Sequence, residues 1–312
     1  MFQQTLQKEI SAQGLGLHTG REMTVVLKPA PAGLGLRFQR TDRPGAPALA
    51  AVAANVQGTT LATTLGHGEN QISTIEHLLA ALAALGVDNL TVEVDGPELP
   101  AFDGSAAAWV RLLDQAGLAA QAAPRLYQVF TRPHRLALGD RSIEARPAGR
   151  LSVEAHIDFG GAIGRQCFHY TASAAAFTTE ISRARTFCLA RDIEKMRAQG
   201  LARGGSLDNA VVVGSDGILN PGGLRYPDEF VRHKILDFLG DLNLAGQPLL
   251  GRFILHKPGH ELNCRFLRSA LAEPGLLASS ACEPEARPLG RRPVPAPWPL
   301  NSLAEDEAWA PA

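Results

Sequence analysis

The sequence predicts an α+β protein built in two halves, and three observations carry that prediction. The chain has 312 residues, which at roughly 150 residues per domain leaves room for about two domains. Each half has strands before and after its helices, without the strict alternation that argues a doubly wound parallel sheet. Between them, residues 118–125 (LAAQAAPR) form an alanine-rich stretch with a proline, the best candidate boundary. The halves are taken as 1–122 and 126–280, followed by a Pro/Ala/Arg-rich tail at 283–312 that reads as poorly packed.

In order along the chain, glycine-punctuated GLGLHTG (14–20) precedes an alternating MTVVLKP and then LGLRFQR, read as strands and turns. An Ala/Pro/Gly-rich connection (43–58) leads to the first clear helix, from Ser73 to about Leu85, with Ile75, Leu78, Leu79, Leu82 and Leu85 at helical spacing. Gly86 stops it. The strand NLTVEV follows at 89–94, and the turn-rich PELPAFDGSA leads into a second helix at about 106–116. The second half restarts with the strands YQVF, RSIEARP and LSVEAHIDF; in the last, Leu151, Val153, Ala155, Ile157 and Phe159 share one face. Helical character returns at about 189–199, then a strand NAVVVG at 209–214, then a strong helix over 228–244 with the stripe Val231, Ile235, Phe238 and Leu242.

Composition narrows the function. Thirty basic side chains face thirty-one acidic ones, for a formal charge of −1. No one-signed field pulls the whole protein onto nucleic acid or an anionic bilayer, so nucleic-acid binding is not expected and a charged ligand needs a local site. Four cysteines without a CxxC pair suit reduced thiols. The polar N-terminus lacks a signal-peptide layout, and the longest apolar stretch, Leu78 to Val87, falls far short of the ~20 residues that cross a bilayer. A cytoplasmic protein without stable membrane insertion is expected. No association helix is evident, so a monomer is expected too.

Chemistry concentrates in three clusters. His67, His134 and His156, by contrast, read as residues of a polar turn, a connection and a polar strand face. Ser73-Thr74-Ile75-Glu76 has the form of a capping box, which accounts for Glu76 but not for His77. Small residues Ala80, Ala81 and Ala84 continue the face of Glu76 and His77, so another element or a ligand can approach closely. His233 and Asp237 are i, i+4 neighbours, a spacing that lets two side chains of one helix share a metal, and Asp241 follows at the next i+4. Read singly, that pattern is also an ordinary solvated face. His256-Lys257-Pro258-Gly259-His260 is likewise a Pro-Gly turn when taken alone. Together the clusters supply two histidines and an aspartate for a zinc ion with an open fourth position, a carboxylate beside a ligand as base, and a spare histidine as acid. That is the inventory of a hydrolytic zinc site.

ISTIEHLLAALAALGVDNL, EISRARTFCLARDIE, DEFVRHKILDFLGDL and HKPGHELN, with GLGLHTG and PELPAFDGSA, closely resemble the bacterial UDP-3-O-acyl-N-acetylglucosamine deacetylases, the zinc amidases of lipid A biosynthesis. The match runs in order from about residue 2 to 272. The resemblance implies two similar domains, each a β-sheet with helices, the helices packed between the two sheets. It implies one Zn2+ per chain on His77, His233 and Asp237, with Glu76 as general base. His260 is implied as general acid or electrostatic stabiliser, oriented and kept protonated by Asp241, and Thr186 as an oxyanion partner. Lys234 and Lys257 fall where the family meets the sugar or diphosphate. An insertion at about 187–213 maps to an acyl-chain passage, with Phe187, Ala190, Ile193, Ala202, Ser206 and Val212 on its walls. At ~0.8 kcal/mol per buried methylene, such a passage makes acyl length a determinant of specificity.

The implied reaction releases acetate from UDP-3-O-acyl-N-acetylglucosamine and leaves UDP-3-O-acyl-glucosamine, the committed step of lipid A biosynthesis. Two departures stand out: DFGGAIGRQ (158–166) lacks the family's proline and histidine near the nucleotide, and Ala62 stands where cysteine is common. Two other readings compete with this one. One is a zinc amidase acting on another N-acetylated amino sugar without the acyl chain. The other is a non-catalytic protein with a structural metal, which leaves Glu76, Thr186 and His260 without a task.

Overall fold

Alternation of apolar and polar residues makes the first half mostly strand. In the computed structural model of the chain, which describes residues 1–281, β1 (Phe2–Leu6) and β2 (Ile10–Leu15) lead into β3 (Glu22–Pro29). Met23, Val25 and Leu27 of β3 are buried while the residues between them stay partly exposed. β4 (Leu36–Arg40), β5 (Leu49–Ala50), β6 (Val56–Gly58) and β7 (Thr64–Leu65) precede α1 (Glu76–Leu85), which ends on Gly86 in a left-handed cap. β8 (Leu90–Val94), α2 (Ala107–Ala116) and β9 (Leu118–Pro124) complete the half. A five-stranded sheet has the order β2-β3-β8-β4-β5, with β4 and β8 parallel and α1 in the chain between them.

The second half repeats that scheme. β10 (Leu126–Phe130), β11 (His134–Leu138), β12 (Arg141–Arg146), β13 (Leu151–Asp158) and β14 (Arg165–Thr171) are followed by the single turn α3 (Ala174–Ala176) and a π-turn, Phe177–Ile181. Next come β15 (Phe187–Leu189), α4 (Ile193–Ala198), β16 (Val211–Val213) and α5 (Glu229–Leu242). β17 (Leu249–His256), α6 (His260–Ala272) and β18 (Leu277–Ala281) close the described chain. β13 and β17 are parallel neighbours in a seven-stranded sheet, with α5 in the chain between them. β15 and β16 pair parallel as a small separate sheet.

The fold is α+β, and its inner helices position the site. α1 packs against α5, α5 rests on β13 and β14, and α2 lies against β2. The α1–α5 approach is close: a Cβ added at Gly240 would sit 2.1 Å from the Glu76 carbonyl oxygen. The alanine face of α1 therefore admits another element. α5 is buried nearly all round, with its polar residues His233, Asp237 and Asp241 as buried as its apolar stripe. Among the described residues, no helix is long and apolar enough to cross a membrane.

Several local expectations are corrected. α1 starts at Glu76 rather than Ser73, and there is no capping box: no side chain caps the helix, and the Ser73 hydroxyl donates to the Pro97 carbonyl. Thr74 takes a left-handed backbone, φ 58°, which a helix from Ser73 could not contain. The stretch taken as the boundary, 118–125, is mostly strand: Leu118–Pro124 pairs antiparallel with β1. Alanines are poor strand formers, and the partner strand outweighs that propensity. His134 belongs to β11 and bonds Ser269, not to a connection. Phe159 lies beyond β13 and is exposed. The helix expected at 189–199 is shorter, a 3-10 turn followed by α4. The tail at 283–312 lies outside the described residues.

Candidate active site

Three helix starts and faces converge where the two halves meet. The first turn of α1 presents Glu76 and His77, one face of α5 presents His233, Asp237 and Asp241, and the first residue of α6 is His260. The left-handed turn before α1 is held by Glu98, whose carboxylate accepts from the Thr74 hydroxyl and from the amides of His18 and Thr19. The three clusters, far apart in sequence, thus form one buried group.

His77, His233 and Asp237 place one ligand atom each within 4.8 Å of one another. His233 Nε2 is 3.2 Å and His77 Nε2 3.8 Å from Asp237 Oδ1, and the two rings meet edge-on with centroids 5.1 Å apart. His233 Nδ1 lies 3.0 Å from the Ala184 carbonyl, so Nδ1 carries the proton and Nε2 turns a lone pair inward. Burial pushes His77 down to about 4 and His233 down to about 3, against the opposing pull of Asp237. Both rings are therefore neutral near pH 7. Burial alone disfavours the Asp237 carboxylate, but His233 and Lys234 hold its pKa well below the usual range. Its Oδ2 accepts from Lys234 Nζ at 2.6 Å, while its Oδ1 is buried without a hydrogen-bond donor. The His233 Nε2 lone pair and the orphaned Asp237 oxygen repel each other unless a cation lies between them, and the neutral His77 ring, whose Nδ1 also has no partner, stands beside them. The donor set suits a divalent metal such as zinc.

Beside this group stands a second pair. Glu76 Oε2 accepts the Thr63 amide at 3.0 Å, and Oε1 lies 3.9 Å from His260 Nε2. Burial raises Glu76 to about 7, with the His260 charge pulling the other way. Burial would lower His260, but Asp241, 2.9 Å from Nδ1, outweighs it and with Glu76 raises His260 to about 9. One group is thus poised to take a proton near neutrality and its neighbour to hold one.

A cavity of about 930 Å3 opens from these residues. Thr186, Phe187, Ile193, Ser206, Val212, Ala202 and Lys234 line it, together with Glu76, His77, His233, Asp237 and His260. Lys234 Nζ also lies 5.3 Å from the Phe187 ring centroid. Asp241 sits behind His260, away from the wall. Ala190 does not line the cavity; it falls in the turn after β15. Nor does Lys257, which pairs with Asp140 at 2.6 Å on a separate depression shared with Arg141, His156 and Arg165.

Some residues of the group carry no signal in the sequence motifs. Thr63 is fully buried and bonds to both Glu76 and Asp241. Asn263 donates to Asp241 Oδ2 at 2.8 Å, and only its place one turn along the helix from His260 hints at that. Arg185 and Glu229 form a buried pair that fixes the Ala184-Arg185 backbone behind His233; no spacing rule links them.

A family model described as UDP-3-O-acyl N-acetylglycosamine deacetylase matches residues 3–272. Among curated proteins, the UDP-3-O-acyl-N-acetylglucosamine deacetylase of Myxococcus xanthus (strain DK1622) is 47% identical over 273 residues, 87% of each chain. The protein of that name from Shewanella sp. (strain W3-18-1) is 49% identical over 277 residues, 88% of this chain and 90% of its own. That from Anaeromyxobacter sp. (strain Fw109-5) is 46% identical over 295 residues, 92% of this chain and 96% of its own.

Proposed function

This chain belongs to the UDP-3-O-acyl N-acetylglycosamine deacetylase family, and from that premise we propose how its residues remove the acetyl group. It is a hydrolase acting on an amide, the deacetylase of UDP-3-O-acyl-N-acetylglucosamine in lipid A biosynthesis. Its metal is one zinc ion per chain, held by His77, His233 and Asp237. The observation that carries this reading is the donorless Asp237 Oδ1 facing the Nε2 atoms of two neutral imidazoles. Bound there, zinc supplies Lewis-acid polarisation and makes water more acidic.

The remaining work falls to protein groups. Glu76 Oε1, left free by the Thr63 amide on Oε2, takes a proton from the attacking water as it adds to the acetyl carbonyl. Thr186 and the charged His260 stabilise the oxyanion that develops. His260 Nε2 then delivers a proton to the C2 nitrogen, the C–N bond breaks, and acetate leaves a free amine. Asp241 holds the opposite nitrogen of His260 and keeps the ring charged. Lys234 meets the sugar or diphosphate from the cavity wall, and Lys257 meets the outer part of the ligand from the neighbouring depression, which Arg141 joins to the cavity. Phe187, Ile193, Ser206 and Val212 take the acyl chain, a role supported by their place on the cavity wall, whereas Ala190 shapes the turn behind it. An amino sugar lacking the acyl chain is not favoured, since the relatives are named for the acylated one. The enzyme acts as a cytoplasmic monomer.

The test is acetate release from UDP-3-O-acyl-N-acetylglucosamine by metal-stripped protein before and after one equivalent of zinc. Activity that appears only with zinc is expected. Equal release without metal, or none from folded zinc-loaded protein, overturns the proposal.

A further inference from the structure

We propose that Thr63 is a positioning residue that ties the general base to the general acid and settles which nitrogen of His260 does the chemistry. The inference rests on the roles given above to Glu76 and His260. Thr63 stands in the loop between β6 and β7, fully buried, in a stretch (TTLATTLG) that looks like any polar hairpin loop. Its main-chain N–H donates to Glu76 Oε2 at 3.0 Å. Its hydroxyl lies 2.5 Å from Asp241 Oδ1 and 3.2 Å from His260 Nδ1.

A threonine hydroxyl has one proton, and an ionised carboxylate only accepts. The short contact to Asp241 is a charge-assisted O–H···O bond, so that proton is committed to Oδ1. Toward His260 the same oxygen can offer only a lone pair. His260 Nδ1, flanked by that lone pair and by Asp241 Oδ2 at 2.9 Å, must therefore bear a hydrogen in every state of the ring. The only proton His260 can gain or lose in turnover is then on Nε2, the nitrogen that faces Glu76 Oε1 at 3.9 Å. Asn263 reinforces the frame from the other side by donating to Asp241 Oδ2. The backbone of Thr63 performs the matching task on the base: with Oε2 occupied, Oε1 is the oxygen left to receive a proton. A single residue thus orients the acid through its side chain and the base through its amide.

The two arms separate experimentally because Thr63→Val keeps the amide and the branched shape while deleting the hydroxyl. Zinc-loaded Thr63→Val is expected to show kcat lowered about 10- to 100-fold, the range expected when a catalytic group is slightly misplaced. KM and zinc content should stay within about twofold, and Thr63→Ser should recover most of the loss. Combined with His260→Gln, Thr63→Val should cost little more than His260→Gln alone, because the hydroxyl acts through that ring. Thr63→Ala carries the same expectations if the valine does not fold. A fall in KM-based affinity with kcat unchanged, no rescue by serine, or a full additive loss in the double variant overturns the proposal. Glu76→Gln and His260→Gln serve as references: if either keeps wild-type kcat, the underlying reading fails. If both lose activity while Thr63→Val does not, Thr63 alone has been misassigned.

Discussion

At the residue scale, the site works by giving chemically identical atoms different tasks. Asp237 engages Oδ2 with Lys234 and keeps Oδ1 without a donor, and Glu76 engages Oε2 with the Thr63 amide. His77, His233 and His260 are all buried, yet the first two are pushed below their ordinary value of 6.5 and the third above it. Burial acts alike on all three; the difference is the Asp241 carboxylate bonded to His260. A charged His260 has a consequence for pH. Its proton is present through neutrality and leaves as pH rises through about 9, so kcat should fall on that alkaline limb. His260→Gln, with no proton to lose, should have a lower kcat that no longer declines there. A pH–rate profile of the two proteins checks this, and an unchanged limb in the variant would assign it to another group. Stability has the same sign: the folded pKa is raised, so the contribution of His260 is full below about 6.5 and is lost as pH rises through about 9.

At the scale of elements, the decisive feature is how closely α1 and α5 approach. Glycine within a helix costs up to about 1 kcal/mol relative to alanine, yet Gly240 sits in the last turn of α5. The cost is offset because the Glu76 backbone occupies the space a side chain would fill, 2.1 Å from a built Cβ. That close approach accompanies the contacts of Asp237, three residues before Gly240, with His77 and of Asp241, the residue after it, with His260. Gly240→Ala, which ordinary helix propensity would favour, should instead destabilise by about 1–3 kcal/mol through overpacking. It should also depress kcat, because the displaced atom belongs to Glu76, the base proposed above. Thermal unfolding and turnover of the same preparation test both effects; a higher Tm would show that the helices separate without strain.

At the scale of the whole molecule, the two halves are joined around the site by loop contacts as well as by the helix pair. The 101–106 turn of the first half meets the 182–186 segment of the second: Thr186 donates to the Gly104 carbonyl and Ala106 to that of Ser182. Asp103 adds an ion pair at 2.7 Å with Arg225. Burial works to raise the Asp103 pKa, but Arg225, with the hydroxyl and amide of Ser105, holds it below the ordinary value of 3.8. A depressed carboxylate stabilises above its unfolded pKa and loses that contribution as pH falls. Wild-type protein should therefore exceed Asp103→Asn in urea midpoint at neutral pH, with the gap closing below about pH 4. A gap that persists into acid would mean the link is carried by shape and the amide bonds rather than by charge.

Local chemistry and local shape are written in the order of the residues. Glu76 beside His77, His233 one turn from Asp237, and the HKPGH turn were legible as an inventory, because adjacency and i, i+4 spacing survive any tertiary arrangement. The helices at 107–116 and 229–242 and the alternating strands were legible for the same reason. The apparent capping box at Ser73–Glu76 shows where such reading stops: the spacing is correct, but a fully buried Glu98 holds Thr74 out of helix and Thr63 claims the Glu76 carboxylate. Likewise 118–124 became a strand only because β1 lay beside it. Folding is what leaves Asp237 Oδ1 without a donor, turns His260 toward Glu76 and sets Thr63 against both Glu76 and Asp241. The reason is physical. Side-chain periodicity is set by the bonds of a few neighbouring residues, whereas protonation and ligand geometry depend on burial and on charges contributed by distant parts of the chain.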